Sequence, residues 1–115
     1  MDVALRAGVE AIAAKIGLSR DLQQVFYYAP VAFDPGCVSA VRRAAARFGY
    51  THRDIVSGAG HDACYISRIA PTAMVFTPCV DGVSHNESED IKREWSTAGA
   101  NVLMHAVLEK AEIVA

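Results

Sequence analysis

Residues 54–77 read DIVSGAGHDACYISRIAPTAMVFT, and the signals inside this stretch decide the fold. Asp54 to Ser57 reads as a short strand, and Gly58, Ala59 and Gly60 form a glycine turn. A short helix starts at about His61 and must finish before Pro71, because a residue preceding proline is pushed out of the helical region. Thr72 to Thr77, TAMVFT, is a brief apolar run of the kind that forms a buried strand.

Working towards the N-terminus, the best-punctuated element is a second helix. Asp34 can cap its free N–H groups, Pro35 suits the first helical position, and Gly49 suits a left-handed stop. Val38, Val41, Ala45 and Phe48 are its expected buried face. Upstream lies Leu22 to Tyr28, LQQVFYY, which reads as a strand, and the segment FYYAPVAFDP, where a boundary between units can sit. Leu5, Val9, Ile12 and Ile16 step by helical spacing, so Asp2 to Ile16 reads as a helix ended by Gly17. Towards the C-terminus, a polar loop from Pro78 to about Lys92 precedes a long helix with Trp95, Ala98, Val102, Ala106 and Ile113 as apolar positions. The order α-β-α-β-α-β-loop-α predicts an α/β fold.

Composition sets the outer limits. The chain has 115 residues, 52% of them hydrophobic and 21% charged, which excludes a disordered chain. At this length folding is expected to bury roughly two-thirds of the unfolded surface. Eleven basic against thirteen acidic residues, with no long run of either sign, give no nucleic-acid footprint and no polybasic membrane anchor. No apolar run approaches the length of a bilayer span. Cys37, Cys64 and Cys79 are odd in number and lack C-x-x-C spacing, so they read as reduced thiols of a cytoplasmic protein.

Two loops can carry chemistry. In SGAGHDA, Ser57 to Ala63, the glycines permit close approach of a ligand, and His61 at the helix start can polarise a carbonyl. The plain alternative is a tight strand-to-helix turn. Gly58, Gly60 and Ala63 also match G-x-G-x-x-A, with Asp81 beyond the next strand. The helix before Pro71 is too short for that dinucleotide cradle, so the match reads as a decoy. The second loop, PCVDGVSHNESED, holds His85, with Glu87, Glu89 and Asp90 behind it as carboxylates able to orient a metal ligand. Its plain reading is a solvated acidic loop, since a catalytic zinc needs about three protein ligands. Asp62 can orient a neighbour or cap the short helix; His52 and His105 read as structural, and Cys64 and Cys79 as small core residues.

SGAGHDA, PTAMVFTPCVDGVSHNESED and AGANVLMHAVLE, in this order, resemble the C-terminal part of the amidase, hydantoinase/carbamoylase family, within the zinc aminoacylase and peptidase superfamily. The resemblance spans about Leu22 to Glu112. It implies a metal-dependent amidohydrolase in which a water held by two metals attacks a ureido or amide carbon. N-carbamoyl substrates then yield ammonia, carbon dioxide and an amino acid. Residue by residue, His85 corresponds to a metal ligand. His61 corresponds to a substrate-binding, catalytic histidine that stabilises the tetrahedral intermediate, and Gly60 to a backbone contact with substrate. Zinc is the first choice of metal, with manganese, nickel or cobalt as alternatives.

The family's enzymes are several times longer, and their other metal ligands, general base and substrate arginine have no counterpart here. The resemblance therefore implies that residues 1–30 are the last helix and strand of an inserted dimerisation domain. Residues 31–115 are then the closing segment of a zinc-peptidase-like catalytic α/β domain. On this reading the 115-residue chain alone is expected to be inactive, and its partners are a small carbamoyl or ureido substrate and further copies of itself. The competing expectation is a non-catalytic folded remnant or association module.

Overall fold

A computed structural model describes residues 1–111. Four helices follow one another: α1 (Asp2–Ile16), α2 (Pro35–Arg47), α3 (Ala63–Ile66) and α4 (Arg93–Ala111), with a single 3-10 turn at Val80–Gly82. The chain divides into two compact units, Met1–Pro30 and the remainder from Val31.

In the first unit α1 has the expected extent. Gly17 takes φ +68°, and the N–H groups of Gly17 and Leu18 close the helix on Ala14 O and Ala13 O. Asp2 and Arg6 pair at 2.9 Å one turn apart. The apolar stripe is nevertheless open: Val9 is half-buried, while Leu5, Ile12 and Ile16 are about 60% exposed.

The second unit is built on α2 against α4. The Asp34 carboxylate accepts the Cys37 N–H at 2.7 Å, Pro35 occupies the first turn, and Gly49 takes φ +66°. Gly49 N–H reaches Ala46 O and Tyr50 N–H reaches Ala45 O, satisfying two carbonyls at the helix end. Ala40, Ala44 and Ala45 of α2 are buried against Val102 and Ala106 of α4, with Val41, Tyr50 and Val75 packed around them. Small side chains let the two backbones approach closely. Ala45 was expected inside, but Val38 and Val41 are only half-buried and Phe48 is exposed. Phe48 stacks on Tyr50 at 5.4 Å and meets the edge of His105 at 4.9 Å. Trp95 and Ala98 are half-buried, and Val102 and Ala106 are core; Ile113 lies outside the described residues.

Two expectations are corrected. Leu22 to Tyr28, Asp54 to Ser57 and Thr72 to Thr77 form no strand, and the described residues contain helices only. A strand exists through ladder hydrogen bonds to a neighbour, and among the described residues none of these segments has one. The nearest approach to pairing is one bond, Asp34 N–H to Thr72 O at 3.0 Å. The described residues therefore show the helices of the expected α/β arrangement and none of its strands. Burial is also smaller than expected. Among the described residues only Ala40, Ala44, Ala45, Val102 and Ala106 are buried, all of them in the second unit.

Candidate active site

The SGAGHDA turn is organised by its first residue. Ser57 Oγ accepts the Ala59 N–H at 3.2 Å and lies 2.9 Å from His61 Nε2, so one hydroxyl ties the turn to the imidazole. His61 is half-buried, with its ring edge-on to Phe76 at 5.5 Å. Its carbonyl accepts the Cys64 N–H at 2.9 Å, anchoring it to the first turn of α3. A Cβ built on Gly60 or Gly58 meets nothing within 4 Å, and neither residue is in the left-handed region. Their value is open space beside the backbone rather than an unusual conformation. Asp62 caps α3 through its carbonyl, with no side-chain bond to the helix.

Phe76 belongs to the segment that α4 holds in place. A Cβ at Gly99 of α4 meets Thr77 Cγ2 at 2.5 Å, so only glycine admits so close an approach. The same segment runs on through Pro78 and Cys79 into the His85 loop. There Val80 N–H donates to Asp90 O at 2.8 Å, closing the loop at its base. His85 has φ +55°, and its backbone N–H donates to Glu89 Oε2 at 2.8 Å. The other Glu89 oxygen accepts the Cys79 thiol at 3.7 Å. Burial first, and then the Glu89 carboxylate, push that thiol above its ordinary pKa. Asn86 Oδ1 accepts the Ser88 N–H and hydroxyl, and Asp90 accepts the Ile91 N–H.

Gly60 and His61 thus share one turn, while His85 stands in a separate exposed loop. Ser57, Phe76 and Gly99 escaped the sequence reading. A serine four residues before a histidine is its only linear signal, and the contacts at Phe76 and Gly99 are long-range. In the sequence Glu89 is one of three acidic residues behind His85; in the structure its carboxylate is the one that accepts the His85 backbone N–H. Cys37, Cys64 and Cys79 are free thiols, half-buried rather than core. His52 Nδ1 lies 3.0 Å from Tyr50 O, a local contact. The dinucleotide pattern lacks its scaffold, since no strand precedes Gly58 and α3 has four residues.

His85 fits a metal ligand by chemistry: its imidazole is exposed and has no hydrogen-bond partner among the described residues. Those residues contain no group of three histidine, cysteine or acidic side chains placed to hold an ion. They offer one candidate ligand, and a complete set would need donors beyond them. Among the described residues no helix is long and apolar enough to cross a membrane.

Comparison with known proteins gives this arrangement its context. The model of peptidase family M20/M25/M40 matches residues 6–109, and the chain belongs to that family. An N-carbamoyl-L-amino-acid amidohydrolase of Rhizobium meliloti is 55% identical over 114 residues, 96% of this chain and 27% of that protein. Another, from Paenarthrobacter aurescens, is 40% identical over 88 residues, 76% of this chain and 20% of that protein. The crystal structure of an amidase of the hydantoinase/carbamoylase family from Burkholderia multivorans superposes with a TM-score of 0.88 at 69% identity. It covers 98% of this chain and 28% of that one. The chain spans between a fifth and little more than a quarter of the length of these relatives.

Proposed function

We propose that this chain is the closing segment of a metal-dependent amidohydrolase that cleaves C–N bonds of N-carbamoyl amino acids or related ureido compounds. The observation that carries the reading is 55% identity across nearly the whole chain to an N-carbamoyl-L-amino-acid amidohydrolase. The free His85 imidazole and the braced His61 support it. Residues 1–30 then belong to a dimerisation domain and residues 31–115 to the catalytic domain.

His85 would hold a divalent metal, zinc first and manganese, nickel or cobalt as alternatives, together with ligands from the rest of the enzyme. When bound, such an ion supplies Lewis acidity and a lowered pKa for its water. His61 uses the ring nitrogen not engaged by Ser57 to hydrogen-bond the carbonyl oxygen as it gains charge in the tetrahedral intermediate. Gly60, with space beside its backbone, lets the substrate lie against the main chain. The three free thiols fit a reducing compartment, and we read the enzyme as cytoplasmic and homo-oligomeric.

In the complete enzyme carrying this segment, His85→Ala should lower metal content and activity together, while His61→Ala should keep the metal and lose turnover. Full activity in both variants would overturn the assignment. A second reading, a non-catalytic association module, is favoured by the lone metal donor and by exposed Leu103, Met104, Val107 and Leu108 on α4. A complete enzyme that binds no metal and releases no ammonia would favour that reading.

A further inference from the structure

His85 is held in an uncommon backbone state by a single side chain. Its φ of +55° lies in the left-handed region, which non-glycine residues rarely enter. Asp81 at φ +54° and Gly82 at φ +70° share that region, so the loop between Val80 and Asp90 turns sharply more than once. The Val80 N–H to Asp90 O bond pins its ends, but does not fix its middle. Glu89 does. One carboxylate oxygen takes the His85 N–H at 2.8 Å and the other takes the Cys79 thiol, so the carboxylate bridges the crest of the loop to its base. The Glu89 N–H in turn donates to Asn86 O at 2.9 Å, which fixes the residue that does the bridging.

The imidazole of His85 has no partner of its own among the described residues, so the backbone sets the direction of its Cα–Cβ bond and thereby which positions its χ1 and χ2 rotamers can reach. Rotating that backbone out of the left-handed region swings Cβ and the ring together. We propose that Glu89 is a positioning residue for His85: by accepting its backbone N–H it presets the imidazole for metal ligation without touching the ring. The proposal deepens the reading of His85 as a metal ligand and depends on it. Groups that orient a ligand usually act on the histidine's second ring nitrogen; here the same task falls to a main-chain bond.

The test uses the complete enzyme and its zinc dissociation constant, measured by chelator competition, beside the melting temperature of the metal-free protein. Glu89→Ala should weaken zinc binding by about 10- to 100-fold, the usual cost of losing a group that orients a ligand. Glu89→Gln keeps an acceptor oxygen for the His85 N–H and should recover most of that loss. Glu89→Asp, one methylene shorter, should fall between the two and serves if the alanine variant does not fold. Parental zinc affinity in Glu89→Ala or Glu89→Asp would overturn the proposal. So would a Glu89→Gln variant as weak as alanine, which would assign the effect to charge, or losses that simply track the metal-free melting temperature. His85→Ala separates the two levels: if it keeps its zinc, the ligand assignment fails; if it loses zinc while Glu89→Ala does not, only the positioning role fails.

Discussion

Ser57 Oγ and His61 Nε2 lie 2.9 Å apart, and the same oxygen accepts the Ala59 N–H, so the imidazole is fixed by the turn that precedes it. Phe76 backs the ring edge-on. With Nε2 engaged, Nδ1 is the nitrogen free to meet a substrate.

Removing this brace should cost turnover and spare the metal. Ser57→Ala in the complete enzyme is expected to lower kcat by roughly 10- to 100-fold, the scale on which small misplacements of a reacting group act. Metal content should stay at the parental level. Steady-state kinetics with metal analysis check this, and an unchanged kcat would remove Ser57 from the account.

Two glycines should respond in opposite ways. At Gly60 a Cβ meets open space and the backbone is not left-handed, so Gly60→Ala should leave the melting temperature unchanged and raise KM by crowding the substrate. At Gly99 the new Cβ meets Thr77 Cγ2 at 2.5 Å. Overpacking of this kind costs about 1–3 kcal/mol, against a helix-propensity gain of about 1 kcal/mol for alanine. Gly99→Ala should therefore melt lower, and Thr77→Ser, which removes the clashing methyl, should relieve it. Thermal denaturation of the two single variants and the double variant decides the matter.

The cap of α2 predicts a pH dependence. The Cys37 N–H, above all, holds the Asp34 carboxyl below its ordinary 3.8, with Lys110 adding to the effect. A carboxylate with a lowered folded pKa contributes stability above its unfolded pKa and loses it as pH falls through the folded value. The margin of the parent protein over Asp34→Ala should be constant above about pH 5 and shrink steadily below about pH 4. Urea melts across that range measure it; a margin that grows on acidification would contradict the cap.

What the chain reveals about its own fold divides by range. α2 could be read from Asp34, Pro35 and Gly49 because caps are local chemistry, and α1 from Leu5, Val9, Ile12 and Ile16 because helical spacing is local too. Strand pairing is not local. TAMVFT and LQQVFYY have β-favouring composition, but nothing in their letters says whether a neighbour is there to pair with, and among the described residues none is. The inner face of α2 was misjudged for the same reason. Proximity of α4 selects Ala40 and Ala44 over Val38 and Phe48, and that proximity cannot be seen along the chain.

The candidate site follows the same rule. Gly60, His61 and His85 stand out in the sequence because glycine turns and histidines in polar loops carry recognisable chemistry. Nothing linear separates Glu89 from Glu87 and Asp90. Only the structure shows which carboxylate accepts the N–H of the left-handed His85.

Ammonia release is the measurement closest to the central claim. The complete enzyme carrying this segment, loaded with zinc and offered N-carbamoyl-L-amino acids, should release ammonia and free amino acid in equal amounts, while the 115-residue chain alone should release none. If the complete enzyme leaves every carbamoyl and ureido compound intact, or cleaves only peptides, the account of its substrate is wrong. Turnover by the short chain alone, abolished by His85→Ala, would contradict the claim that the rest of the site lies elsewhere.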